Sequence, residues 1–185
     1  MKTFRWALPL LLLAALAAAG CMLTSGQFAV TYALPDPLTV TSTLAMTSVD
    51  VDLNTVSEYR DHKKDLKRVE GLSLVGNFTN NTSSAAQIEV WIVPDASQSQ
   101  VTLTPGQLAQ AGTLLWGPLA VAANSTEKVD WDRSAALFVG RQTLIDEVKG
   151  DGHFLIYVVA SGPGNGPYNL TVTKGSLIVV VGAAI

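Results

Sequence analysis

The sequence predicts a mainly β protein: an antiparallel β-sandwich with short α-helices at its crossovers, leaning toward α+β. Three observations carry this. Val49-Asp50-Val51-Asp52-Leu53 alternates with the period of a half-buried strand. Phe154-Leu-Ile-Tyr-Val-Val159 is short and almost wholly apolar, as expected of a central strand. Only 15% of residues are charged, while the β-branched residues Val and Thr are frequent throughout.

Taken in order, Gln27 to Leu34 alternates loosely around Phe28, Val30 and Tyr32 and reads as a first strand, stopped by Pro35-Asp36-Pro37. Thr39 to Leu53 reads as one long strand whose second half alternates cleanly. Thr55-Val-Ser-Glu58 has the form of a capping box, opening a short solvated helix that ends near Gly71. Leu72 to Thr79 and Ala86 to Val93 read as hairpin partners across the turn cluster Asn80-Asn81-Thr82-Ser83-Ser84. Thr104-Pro105 opens a helix through Gln110, with Pro at its favoured first position. Leu114 to Ala122 and Glu127 to Trp131 read as short strands flanking a turn at Asn124-Ser125. Asp132 to Lys149 is helical in pattern, with Gly140 as a break and Gly150 as the end. His153 to Ala160 and Tyr168 to Val181 read as two strong strands joined by a hairpin through Ser161-Gly-Pro-Gly-Asn-Gly-Pro167.

The N-terminus reads as a targeting segment. Lys2 and Arg5 precede an apolar run from Trp6 to Leu16, then the small residues Ala17 to Gly20. This is the layout of a secretory signal, and the run is shorter than the roughly 20 residues a membrane span needs. Ala18-Ala19-Gly20-Cys21 resembles the lipobox of bacterial lipoproteins, with Ala18 where that family favours Leu. The resemblance implies lipid on the Cys21 sulfur, cleavage before it, and acylation of the new amino group, palmitate being one such chain. Met22, where inner-membrane retention favours Asp, implies the outer membrane if the host has one. Ordinary cleavage after Ala19 is the rival reading, and it leaves a free thiol. Cys21 is the only cysteine, so no intramolecular disulfide is available. Residues 1–20 are therefore expected to be removed, 21–27 to form a lipidated tether, and 28–185 to form a single β-sandwich domain. The order of elements also resembles that of small uncharacterised envelope lipoproteins, a likeness of pattern that assigns no residue roles.

Losing Lys2 and Arg5 leaves 10 of the 12 basic residues against all 15 acidic ones, a net charge of −5. A mildly acidic chain without a basic stripe argues against nucleic acid. It makes the acyl chains the expected membrane link, each buried methylene contributing about 0.8 kcal/mol.

Asp50, Asp52 and Asn54 open like a calcium loop, with oxygen ligands at alternate positions. The pattern then fails, because Thr55 stands where glycine is needed and Asp61 where the motif has Glu. The simpler reading is the solvent face of a strand. His62 and His153 are the only histidines and have no zinc-like spacing. No Gly-x-Ser-x-Gly elbow occurs, and Gly162-Pro-Gly164-Asn-Gly166 runs into Pro167 and a strand, not a helix. Trp91 lies in an apolar strand and reads as core. Trp116 and Trp131 lie near turns and are the candidate ligand contacts, as for a stacked glycan.

The expectation is a lipid-anchored cell-envelope protein without catalytic residues, cofactor or resident metal. It would bind the membrane through its acyl chains and meet an envelope protein or glycan. Two rivals remain: an envelope-polymer-modifying enzyme, in which His62 or His153 meets a carboxylate in a cleft, and a small apolar-ligand carrier with a void between the sheets.

Overall fold

A computed structural model of the chain describes residues 25–41, 45–94, 103–162 and 167–184; the expected signal segment, Cys21 and Met22 lie outside them. Among the described residues nine strands form two antiparallel sheets. The first contains β1 (Ser25–Ala33), β2 (Leu38–Val40), β4 (Leu66–Asn80), β7 (Ser125–Val129) and β9 (Leu170–Ala184), in the order β1-β9-β4-β7. β2 pairs with the far end of β9, Val40 opposite Leu170. The second contains β3 (Met46–Asp52), β5 (Ala86–Val93), β6 (Thr113–Val121) and β8 (His153–Ser161), in the order β3-β8-β5-β6. One cluster of buried side chains, including Val30, Leu72, Phe78, Ile88, Trp116, Phe154 and Val179, draws on both sheets. The described residues thus form a mainly β sandwich with four short helices: α1 (Ser57–His62), α2 (Pro105–Ala111), α3 (Trp131–Leu137) and α4 (Arg141–Lys149).

Alternation sets the faces. Val49, Val51 and Leu53 are buried and Asp50 is exposed, as period two requires. β8 is central in its sheet and buried on both sides. Phe154, Ile156 and Val158 enter the main core, while Leu155 and Tyr157 pack with Leu108 of α2 in a second, outer cluster. Thr104 caps α2 through a reciprocal pair of bonds with Gln107.

Several expectations fail where the chain changes sheets. Thr39 to Leu53 is not one strand. Leu38–Val40 joins β9 and Met46–Asp52 joins β8, so Val40 and Val49 reach the core from opposite sides, with Ala45 at φ 56° just before β3. β4 and β5 are not a hairpin. β4 pairs with β7 and β9, and β5 pairs with β6 and β8. The same holds for β8 and β9, so the glycine-rich stretch joins two sheets, its residues 163–166 lying outside the described ones. β4 starts at Leu66, not Leu72, because Leu66 to Val69 pair with Val181 to Ala183 through bulged register. The charged helix is accordingly only α1 plus a 3₁₀ turn at Lys63–Asp65. Its capping box does not form. Thr55 Oγ1 donates to the Asp52 carbonyl, the Glu58 carboxylate takes the Ser57 hydroxyl, and Val56 holds the N-cap. Trp131 begins a helix instead of ending a strand, because the Asp130 side chain accepts the Arg133 amide and caps α3.

The Asp132–Lys149 pattern breaks at Gly140, as expected. A Cβ on Gly140 would collide with the Leu114 carbonyl oxygen, so the break is also a close backbone crossing. β7 ends opposite Gly76 and leaves the rest of that β4 edge bare. There the buried Ser134 hydroxyl accepts the Leu74 amide at 2.6 Å and the Trp116 indole N–H at 3.1 Å.

Candidate functional site

The polar cluster richest in ionisable groups sits where β3 ends and β8 begins. Antiparallel register sets Asp52 opposite His153. The imidazole reaches diagonally instead, and its Nε2 meets Asp50 Oδ1 at 2.7 Å. Asp52 turns to the 3₁₀ turn Leu53–Thr55, which it caps: its Oδ1 accepts the Asn54 amide at 2.9 Å and Asn54 Nδ2 at 2.7 Å. The Asn54 side-chain amide holds the Asp52 carboxyl below the usual carboxylate range, aided by the Asn54 backbone amide, His153 and Lys63 and opposed by partial burial. Lys63 Nζ donates to Asn54 Oδ1 at 3.2 Å and to the Asp151 carbonyl at 2.7 Å. Beneath them Tyr59 is fully buried and donates to the Val148 carbonyl at 2.9 Å. Burial, with the charges of Asp151, Asp52 and Glu147, pushes its hydroxyl up to about 12. Tyr32 on β1 reaches across the open side of the sandwich to the Asp50 carbonyl, so Asp50 ties the two sheets.

The calcium candidates Asp50, Asp52 and Asn54 therefore come together only as separate pairs. Asp50 is bound to an imidazole, Asp52 to an amide, and the Asn54 oxygen already receives an ammonium. Among the described residues no group of three His, Cys, Asp or Glu side chains is placed to hold a metal ion. Calcium takes six to eight oxygen ligands, far more than these pairs leave open.

His153 does meet a carboxylate, but on an open strand face, with the two side chains 35% and 58% exposed. Among the described residues no hydroxyl is bonded to its ring. His62 lies against the Phe28 ring, centroids 4.9 Å apart.

The two tryptophan candidates separate. Trp116 is a core residue, fully buried, stacked on Phe78 at 5.4 Å and bonded to Ser134. It presents no face to a ligand, which corrects the expectation drawn from its place near a turn. Trp131 keeps 37% of its surface and lies over Gly71, where a Cβ would press on its ring.

The opposite end holds what the sequence concealed. Asn80 is fully buried; its Nδ2 donates to the Ser84, Val121 and Ala122 carbonyls, and its Oδ1 accepts the Thr82 amide and hydroxyl. In the sequence it stands among turn residues, and nothing there marks it as a buried hub. Beside it lie two surface clefts that share Ala85 and Gly162. One, of about 280 Å³, is walled by Thr82 to Ser84, Pro167 and Tyr168, and the other, of about 360 Å³, by Ala86, Gln87 and Ala120.

A scan against protein-family models finds no match, and a search of the curated proteins finds none. Solved structures offer loose likenesses. A chain of desmodium yellow mottle tymovirus is 9% identical, at a TM-score of 0.30 over 87% of this chain and 89% of that one. A chain of the T13 IBDV viral particle is 11% identical, at 0.32 over 85% of this chain and 31% of its own. A chain of turnip yellow mosaic virus is 12% identical, at 0.25 over 86% and 96%. At such scores nothing about this chain follows from them.

Proposed function

We propose that the protein is a bacterial cell-envelope lipoprotein, held by acyl chains on Cys21, whose β-sandwich is a non-enzymatic binding or structural module. The observation that carries this reading is Ala18-Ala19-Gly20-Cys21 directly behind a positive segment and an apolar run. Two or three acyl chains make such an anchor stable, whereas one chain is marginal. The membrane is the outer one where the host has two.

Fractionation tests it. The wild-type protein belongs in the membrane fraction, and Cys21→Ser belongs in the soluble fraction. A Cys21→Ser protein that stays with the membrane would overturn the anchor. The His153–Asp50 pair favours one second reading, an enzyme of envelope polymers. Turnover of such polymer by the wild type, abolished in His153→Gln, would replace the non-enzymatic reading.

A further inference from the structure

We propose that the bare edge of β1 is a self-pairing surface, through which two copies of the chain join into one continuous sheet. The proposal does not rest on the Cys21 anchor.

Hydrogen bonds define the edge. β1 is the outermost strand of its sheet and pairs with β9 on one side. The pairing runs from Ser25 to Ala33 without a bulge. One residue further on, the Leu34 amide donates to the Gly175 carbonyl opposite it at 2.9 Å. In an antiparallel pair such bonds fall on every second residue. Val30 and Tyr32 therefore turn their amides and carbonyls to β9, while Gln27, Ala29, Thr31 and Ala33 turn theirs outward. Those outward groups meet no backbone partner among the described residues. The same four residues have exposed side chains, and none carries a charge. A row of unpaired backbone groups of this kind is a template for another strand.

The remaining edges are blocked. β6 bridges to Phe138, and its Leu115 carbonyl accepts the Val139 and Gly140 amides. On β3 the Asp50 carbonyl already accepts the Tyr32 hydroxyl, and a second copy would bring the Asp50 and Asp52 carboxylates together. β7 has five residues, among them Glu127 and Lys128, and β2 has three. The bare part of β4 is bulged and charged, with Ser134 on its Leu74 amide and Trp131 over Gly71. Charge, bulges, short length and covering are what keep edges from pairing. β1 has none of them.

A second copy is the occupant this edge fits. Set antiparallel about Val30, two β1 strands place Gln27 opposite Ala33 and Ala29 opposite Thr31. All four outward residues are then engaged, each opposed pair exchanging two backbone bonds. Every side chain brought together is neutral, and Ala29, Thr31 and Ala33 are small. That neutrality suits self-contact in a chain of net charge −3, whose copies repel one another elsewhere. The contact is isologous, so it closes at two copies. α1 meets β1 from the core side, where His62 lies on Phe28. Residues 57–70 beside it hold five basic and four acidic residues, a near balance that does not oppose a second copy.

The test is the oligomeric state of the full protein, extracted in density-matched detergent and read by sedimentation equilibrium. It should sediment as a dimer, and the Ala29 and Thr31 amides should exchange hydrogen more slowly in the dimer than after dilution to monomer. Thr31→Lys, which brings two ammonium groups to one short edge, should weaken association at least tenfold. Thr31→Pro removes an outward N–H and no bond to β9, and should weaken it as much. Thr126→Lys, on the β7 edge, should leave association unchanged. An unchanged far-ultraviolet spectrum identifies the variants that remain folded, and Thr31→Lys, at an exposed position, carries the test if Thr31→Pro does not fold. A protein that stays monomeric throughout the micromolar range would overturn the proposal. So would a dimer whose affinity survives Thr31→Lys, or exchange at Ala29 and Thr31 that does not depend on concentration, since either puts the contact elsewhere.

Discussion

Tyr59 and Asn80 are the residues on which the two ends of the sandwich turn. Tyr59 is fully buried at one end, beside Gly152, whose φ of 77° and lack of a Cβ leave room for the ring. Its hydroxyl is raised from the usual 10.0 to about 12. Below pH 10 both folded and unfolded chains keep the proton, so its contribution is fully present. Between about pH 10 and 12 the unfolded chain loses the proton first, and stability falls. Tyr59→Phe should cost about 1 kcal/mol at pH 7, because the Val148 carbonyl loses its donor. It should also flatten the alkaline fall relative to wild type, which urea titrations at pH 8 to 11.5 would show. Asn80→Ala should cost more, about 3 kcal/mol in urea unfolding at pH 7, because three carbonyls and the Thr82 amide lose one partner together. A loss below 0.5 kcal/mol, on the order of a surface substitution, would mean that Asn80 is not the hub the geometry makes it.

Among elements, two glycines in similar-looking helical context should behave oppositely. Gly140→Ala puts a methyl against the Leu114 carbonyl oxygen and should destabilise by about 1–3 kcal/mol. Gly106, in the first turn of α2, has nothing within 4 Å of its absent Cβ, so Gly106→Ala should stabilise by up to about 1 kcal/mol. Thermal unfolding of the two variants beside wild type checks both signs. Gly140 also shows what the sequence made legible: a glycine inside a helical pattern marked the break between α3 and α4. Strand identity was equally legible, since alternation at Val49–Leu53 and the apolar run of β8 depend only on which faces are buried. Pairing was not. Whether β5 follows β4 as a hairpin or crosses to the other sheet is not written in the turn residues Asn80 to Ser84, because turn composition is similar in both cases. The start of β4 escaped for a related reason. Leu66 to Glu70 carries charges at helical spacing, and β9 alone supplies the partner that makes it a strand. Of the candidate site residues, the Asp50–His153 contact is a diagonal pair that needs the β3–β8 register, which one sequence does not contain. Trp116 went astray because nearness to a turn says nothing about which face of the strand a side chain takes.

At the scale of the whole molecule, the proposal joins a two-sheet β-sandwich to a lipid anchor on Cys21. The proposed anchor accounts for a single cysteine placed directly behind a positive segment and an apolar run. The measurement that tests this most directly is the intact mass of the native protein extracted from membranes, beside Cys21→Ser. A mass equal to residues 21–185 plus two or three acyl chains, with the lipid lost in Cys21→Ser, is the expected result. An unlipidated mass from the soluble fraction, beginning at Gly20 or Cys21, would contradict the anchor and leave a secreted domain with a free thiol.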